Sequence, residues 1–161
     1  MPETDVHGAR DTRFAALLLD SHQRLVGSPL CPGTWADEAE AARWLYEEAP
    51  FGLLAHDTAD DPLFVYANRT AQRCFGYTPE EFAALPSRLS AAPDAQEDRD
   101  AFVAAVNRQG FADGYRGRRV RKDGSLFWIE DVCMWDLVDE SGRKQGQAAV
   151  FRSWSEITGQ G

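Results

Sequence analysis

Apolar residues recur at helical spacing where the chain begins: Phe14, Leu17, Leu18 and Leu25 predict a helix from about Thr12 to Val26, stopped by Gly27, Ser28 and Pro29. A second stripe, Trp35, Ala39, Ala42, Leu45 and Tyr46, predicts another helix, capped by Thr34 with Asp37 as capping-box partner and ended before Pro50. Ser28 to Gly33 reads as a short connector within the domain. After Pro50 the period shortens. Phe51–His56 and Leu63–Ala67 are apolar runs on either side of the turn-rich Asp57–Pro62, which predicts a hairpin. Asn68 then caps a short helix from Arg69 to Phe75 that ends at Gly76, and Thr78-Pro79-Glu80-Glu81 opens another with the cap, proline and acidic first turn in favoured places. A longer helix from about Asp94 to Arg108 turns Phe102, Val103 and Val106 inward and stops at Gly110. Three strands follow, about Gly114–Arg121, Leu126–Leu137 and Gly146–Trp154, joined by the hairpin turns at Lys122–Ser125 and Asp139–Arg143. The order helix-helix-β-β-α-α-α-β-β-β predicts an α+β domain with a five-stranded antiparallel sheet, and the chain holds no internal repeat.

At 161 residues there is room for one ordinary domain. The apolar stretches fall short of the 18 or so residues that span a bilayer, and the acidic start does not resemble a signal peptide, so a cytoplasmic protein is expected. Cys31, Cys74 and Cys133 are odd in number and widely spaced, which predicts reduced thiols rather than a disulfide framework or zinc site. The net charge is −9, and residues 1–100 carry 18 acidic and 8 basic side chains. Such a field repels phosphate, so neither nucleic acid nor an anionic membrane is an expected partner. The one basic run, Arg116, Arg118, Arg119, Arg121 and Lys122, reads first as a solvated strand face.

Two strings, Tyr66 to Phe82 and Arg121 to Glu130, with Val150 to Ile157, resemble a PAS domain over about Pro50 to Ile157. Leu19-Asp-Ser-His-Gln-Arg-Leu25, Tyr46-Glu-Glu-Ala-Pro-Phe51, Leu85-Pro-Ser-Arg-Leu-Ser-Ala91 and Gly146-Gln-Ala-Ala149 extend the likeness to the MEKHLA domain, a PAS relative. The resemblance implies a short, stand-alone bacterial protein without an attached kinase, cyclase or DNA-binding segment. It also implies residues 1–49 as an N-terminal helical extension, 50–157 as the PAS-like domain and 158–161 as a flexible tail. PAS relatives often dimerise through such helices, so a homodimer is expected. The fold implies a sensory or regulatory module that binds a small ligand or a protein partner.

PAS-like folds place their pocket between the helices and the curved sheet. If Asp123 and Gly124 form a two-residue turn, even positions of the strand after Gly124 share a face with odd positions of the strand before it. A three-residue loop with Gly124 left-handed instead pairs odd positions with odd and turns Arg119, Phe127, Ile129, Asp131 and Cys133 inward, as the resemblance favours. On the second reading Phe75, Phe102, Ile129 and Phe151 wall an apolar cavity with Arg119 and Asp131 paired at one end, suited to an amphipathic or carboxylate-bearing molecule. The alternative sends Arg119 to solvent and leaves Asp131 capping a sheet edge.

No resident cofactor is expected. Light-oxygen-voltage PAS domains carry Asn-Cys-Arg-Phe-Leu where this chain has Pro86-Ser-Arg-Leu-Ser90, so Ser87 replaces the photoactive cysteine; Arg88 matches a flavin-phosphate arginine, but Arg119, Ile129 and Phe151 stand where the ring-contacting polar groups would be. Haem needs an axial ligand. His7 is assigned to a loose terminus, His22 to the first helix, and His56, at a strand end, to a structural role. Cys74 and Cys133 read as core residues. Glu130 and Asp131 alternate faces and cannot share a substrate, and no nucleophile, phosphate-loop or metal spacing occurs, so catalysis is not expected. A flavin or haem sensor, or a small enzyme, are the competing readings.

Overall fold

The computed structural model describes residues 7–30 and 35–157. The Thr34 cap, Cys31 and the 158–161 tail therefore lie outside the described residues. Helix α1 is Thr12–Val26, capped by the Asp11 carboxylate, which accepts from the Phe14 amide, and closed by left-handed Gly27. The second helix starts later than its apolar stripe suggests: α2 is Glu38–Arg43, capped by Asp37, whose side chain accepts from Glu40 N. It runs into a π-helical turn, Trp44–Glu48, before Pro50.

The sheet consists of β1 (Gly52–His56), β2 (Phe64–Ala67), β3 (Phe111–Val120), β4 (Leu126–Val138) and β5 (Lys144–Glu156), antiparallel in the order β2-β1-β5-β4-β3. Between β2 and β3 run α3 (Arg69–Phe75), α4 (Pro79–Ala83) and α5 (Gln96–Gln109). The local signals behave as the sequence predicts. Asn68 caps α3, Gly76 closes it left-handed, and Thr78 with Glu81 forms a complete capping box on α4. Strand β3 begins directly after Gly110, whose positive φ turns the chain out of α5 without a linker.

Apolar residues cover both faces of the sheet. Leu18 and Leu45 pack with Leu53, Trp135 and Val150 on the outer face. On the inner face Phe75 and Phe82 meet Phe127 and Phe151, and α5 lies along β3. The outer-face helices are thus part of the core of a single chain. Of their apolar stripes Phe14, Leu18, Ala42, Leu45 and Tyr46 are buried within the one chain, Leu17, Leu25 and Trp35 are half-buried, and Ala39 is exposed. The chain is also anchored earlier than its polar start suggests: His7 is not loose, because its amide donates to Val65 O at 2.8 Å and its ring stacks on Phe14 with centroids 4.0 Å apart.

Candidate functional site

The β3–β4 hairpin decides which side chains face inward. Arg121 N donates to Ser125 O and Gly124 N to Arg121 O, with Gly124 at φ 90°, so the loop has three residues and Arg119 stands opposite Phe127. Arg119 consequently points into the inner layer and is only 7% exposed. Asp131 does not join it. Strand β4 bulges there: Gly117 faces Ile129 while Tyr115 faces Val132, and Asp131 takes φ 53°, the left-handed conformation that aspartate tolerates better than most residues. The extra residue reverses the alternation. Ile129 is followed on the inner face by Val132 and Met134, Asp131 is exposed, and Cys133 packs on the outer-face core instead.

Arg119, Phe102, Ile129 and Phe151 line a cavity of about 50 Å³ beneath α5. Phe75 is not part of the lining. It supports the wall from behind, edge-on to Phe127 at 5.1 Å and to Phe151 at 6.2 Å. Most of the remaining lining is apolar, including Leu54, Phe64, Val132 and Met134. For scale, an engineered apolar cavity of about 150 Å³ holds benzene, so this space takes a small polar group and not a ring system.

Arg119 has no carboxylate partner among the described residues: its Nη1 donates to Arg118 O at 3.1 Å and reaches Tyr115 Oη at 3.4 Å, and its guanidinium sits 5.4 Å from the Tyr115 ring centre. The rest of the basic run is neutralised. Arg116 pairs with Glu130 and stacks on Trp128, Arg118 pairs with Asp94, Arg121 with Glu156, and Lys122 with Glu81. The solvated-face reading therefore holds for Arg116, Arg118 and Lys122 and fails for Arg119 and for Arg121, whose guanidinium lies over the Phe127 ring and donates from Nε to Cys74 O.

A second cation lines the same cavity. Arg99 on α5 donates from Nη2 to Ser87 Oγ at 3.0 Å; its nearest carboxylate is Asp100, at 3.8 Å, whose side chain is 71% exposed. Desolvation, and then the charge of Arg119, hold the Arg99 guanidinium below its usual range. Sequence reasoning missed Arg99 because it is flanked by Asp98 and Asp100 on a polar-looking stretch. Yet Arg99, Phe102, Val103 and Val106 form one helical stripe, so the signal was an arginine in a core-facing position.

His56 borders the cavity with Gln147. Its Nε2 and Gln147 Oε1 are 3.0 Å apart, while Gln147 Nε2 donates to Asn107 Oδ1 at 2.8 Å and to Asp136 Oδ1 at 3.0 Å. Those acceptors orient the amide so that its oxygen receives the imidazole N–H. Burial pushes His56 down to about 4, so it is neutral and uncharged at pH 7. Burial likewise raises the Cys74 and Cys133 thiols to about 11, which leaves both protonated. Among the described residues no cluster of His, Cys, Asp and Glu is arranged to hold a metal, and no helix is long and apolar enough to cross a membrane.

The crystal structure of the PAS domain of a protein from Colwellia psychrerythraea superposes with a TM-score of 0.61 at 20% identity, over 76% of this chain and 98% of that one. The LOV domain from the blue-light activated histidine kinase of Erythrobacter litoralis superposes with a TM-score of 0.56 at 20% identity, over 68% of this chain and 98% of that one. These likenesses show the PAS fold. The bacterioopsin transcriptional activator of Halobacterium salinarum is 29% identical over 116 residues, which are 71% of this chain but only 17% of that protein. The MEKHLA domain model matches residues 12–156, from the start of α1 to the end of β5, and therefore includes the outer-face helices that the PAS fold alone does not require. The chain belongs to the MEKHLA domain family, and its fold is that of a PAS domain with a helical layer on the outer face of the sheet.

Proposed function

We propose that this protein is a cytoplasmic sensory module that binds a small molecule in the cavity beneath α5 and passes its occupancy to a protein partner or to a second copy of itself, without catalysis of its own. One observation carries the reading: Arg119 is buried in a largely apolar cavity without a carboxylate partner among the described residues. An unpaired buried charge costs several kcal/mol, and a site that keeps one gains when a complementary ligand arrives. The kinship to a transcriptional activator supports a regulatory output. The net charge of −9 supports a protein partner over nucleic acid.

A flavin fits this chain poorly. A cavity of about 50 Å³ is far below the 300 Å³ or so at which ligand pockets begin, Ser87 offers no thiol, and Arg88 is an exposed partner of Asp61. Haem finds no axial ligand in His56, whose Nε2 is engaged with Gln147. The non-catalytic reading rests on the same chemistry, since His56 has lost its basicity and both described thiols stay protonated. Native mass spectrometry and a visible spectrum of protein purified from its own host test the proposal together. A bound small molecule and no band near 450 nm or 400 nm are expected. A stoichiometric flavin or haem band would replace this reading with that of a cofactor-bearing sensor.

A further inference from the structure

Two cations share one small cavity, and neither is neutralised there. Among the described residues Arg119 has only neutral partners, and Arg99 has a hydroxyl and one solvent-exposed carboxylate. Their mutual repulsion is strengthened by the apolar surroundings, because little water is present to screen it. A core without function would place a carboxylate between them, as the neighbouring Arg116, Arg118 and Arg121 each have one. Mutual repulsion without an acid is an arrangement completed by an external anion.

A cleft of about 450 Å³ lies outside the cavity, between the Asp57–Pro62 loop, α5 and the start of β5. His56, Ser87, Arg99, Val103 and Gln147 line both spaces and form the partition between them. Arg99 is the longest and most flexible of the five, so rotation of its side chain opens a path from cleft to cavity. The cleft also carries Asp57, Asp60, Asp61 and Asp100; Arg88 pairs with Asp61, Lys144 pairs with Asp136, and the Arg99–Asp100 contact, at 3.8 Å, is the loosest of the three. An anion that enters the cleft passes these carboxylates and meets Arg99 as the cation held most loosely by its acidic neighbour.

Resting on the ligand-sensor reading above, we infer that Arg99 and Arg119 form a binding site for a short-chain aliphatic carboxylate, which enters past Arg99 and places its carboxylate between the two guanidiniums. Each guanidinium offers a planar pair of donors that matches a carboxylate, and Ser87 Oγ adds a hydroxyl beside Arg99. Ile129, Val132 and Phe151 accept the alkyl part. The cavity of about 50 Å³ excludes aromatic acids. Its largely apolar wall disfavours inorganic phosphate, whose outer oxygens would be left without donors.

The test uses the full chain with sodium acetate, propionate and butyrate at fixed ionic strength, read by calorimetry and melting temperature. Chloride, inorganic phosphate and benzoate serve as comparison anions. Propionate or butyrate is expected to bind and to raise the melting temperature more than any comparison anion. Arg99→Gln and Arg119→Gln should each weaken binding about tenfold or more, while Arg118→Gln leaves it unchanged. Without ligand, Arg99→Gln should melt above the parent, because one of two repelling charges is gone; a variant that merely unfolds would melt lower. Should either glutamine variant fail to fold, Arg99→Lys and Arg119→Lys keep the charge but lose the fork, and the same loss of affinity is expected. Equal shifts from chloride, or undiminished carboxylate binding in both variants, would overturn the inference. An uncharged molecule retained in the cavity by the host-purified protein would remove the carboxylate class and leave the sensor reading standing. If no probe binds and no molecule co-purifies, both fall.

Discussion

Asn68 is fully buried and engages every hydrogen-bonding position of its amide: Oδ1 accepts from Leu53 N at 3.1 Å and Ala71 N at 3.0 Å, and Nδ2 donates to Leu45 O and Phe51 O, each at 3.0 Å. One side chain thus caps α3, holds the start of β1 and takes the carbonyl of Leu45 inside the π-turn. Asn68→Ala strands several buried polar groups at once and should cost about 3–5 kcal/mol in denaturant unfolding, against about 1 for an isolated cap. Asn68→Asp should be nearly as damaging, since it removes both donors; a cost under about 1 kcal/mol for either variant would show the network to be dispensable. His56 makes a pH prediction. Its value drops from 6.5 in the unfolded chain to about 4 in the fold, chiefly through desolvation, so the unfolded state binds more protons between those values. Stability is then fully present above pH 6.5 and declines as pH falls toward 4, by up to about 3 kcal/mol. His22 is shifted down as well, again first by burial, and adds to the decline. Comparing parent with His56→Gln across that window isolates the His56 share, and identical pH profiles would show that His56 carries none.

At the scale of elements, the inner face is held open and closed by close approaches between strands. A Cβ at Gly146 would stand 2.1 Å from the carbonyl oxygen of His56, a backbone atom that cannot step aside. Gly146→Ala should therefore part β5 from β1 near His56 and Gln147, costing about 3 kcal/mol and loosening the partition between cleft and cavity. Amide exchange should rise first at His56 and Gln147; unchanged protection there would show that the strands adjust at no cost. Gly52 differs in kind, because its Cβ would meet the Phe151 ring, 2.1 Å away, and a ring can turn. The β4 bulge at Asp131 is the other decisive device, since it re-aims Val132 and Met134 into the inner layer and frees Trp135 and Leu137 for the outer one.

Across the whole molecule, a sheet covered on both faces makes the α1–α2 layer structural. Leu18 and Leu45 are fully buried against the sheet, so deleting residues 1–48 would expose the outer faces of Leu53, Trp135 and Val150 together. Soluble monomers rarely tolerate a contiguous apolar patch of that kind. The truncated chain should self-associate in size-exclusion chromatography and melt well below the parent. A monodisperse truncation with unchanged melting temperature would mean that the layer adds nothing to the fold.

The element order and the caps at Asn68 and Thr78 were legible in the amino-acid sequence because each depends on residues a few positions apart, whereas the three-residue loop that turns Arg119 inward was one of two turns the residues allow, favoured only by the family resemblance. The MEKHLA likeness was legible for the same reason, as short strings in a common order. The faces of β4 beyond Glu130 were not: both sides of the strand are apolar there, so alternation alone does not say where the phase changes, and only covering helices on either side select a bulge at Asp131. Phe75 was placed on the cavity wall for its aromatic character, but packing put it one layer behind, against Phe127 and Phe151. Arg99 and Arg119 lie twenty positions apart on a helix and a strand, and a charge on a core-facing stripe acquires meaning only from what stands opposite it. That meeting, and the absence of an acid between the two among the described residues, was decided by the tertiary structure, because long-range closure of the sheet against α5 is what buries Arg119 and desolvates most of Arg99.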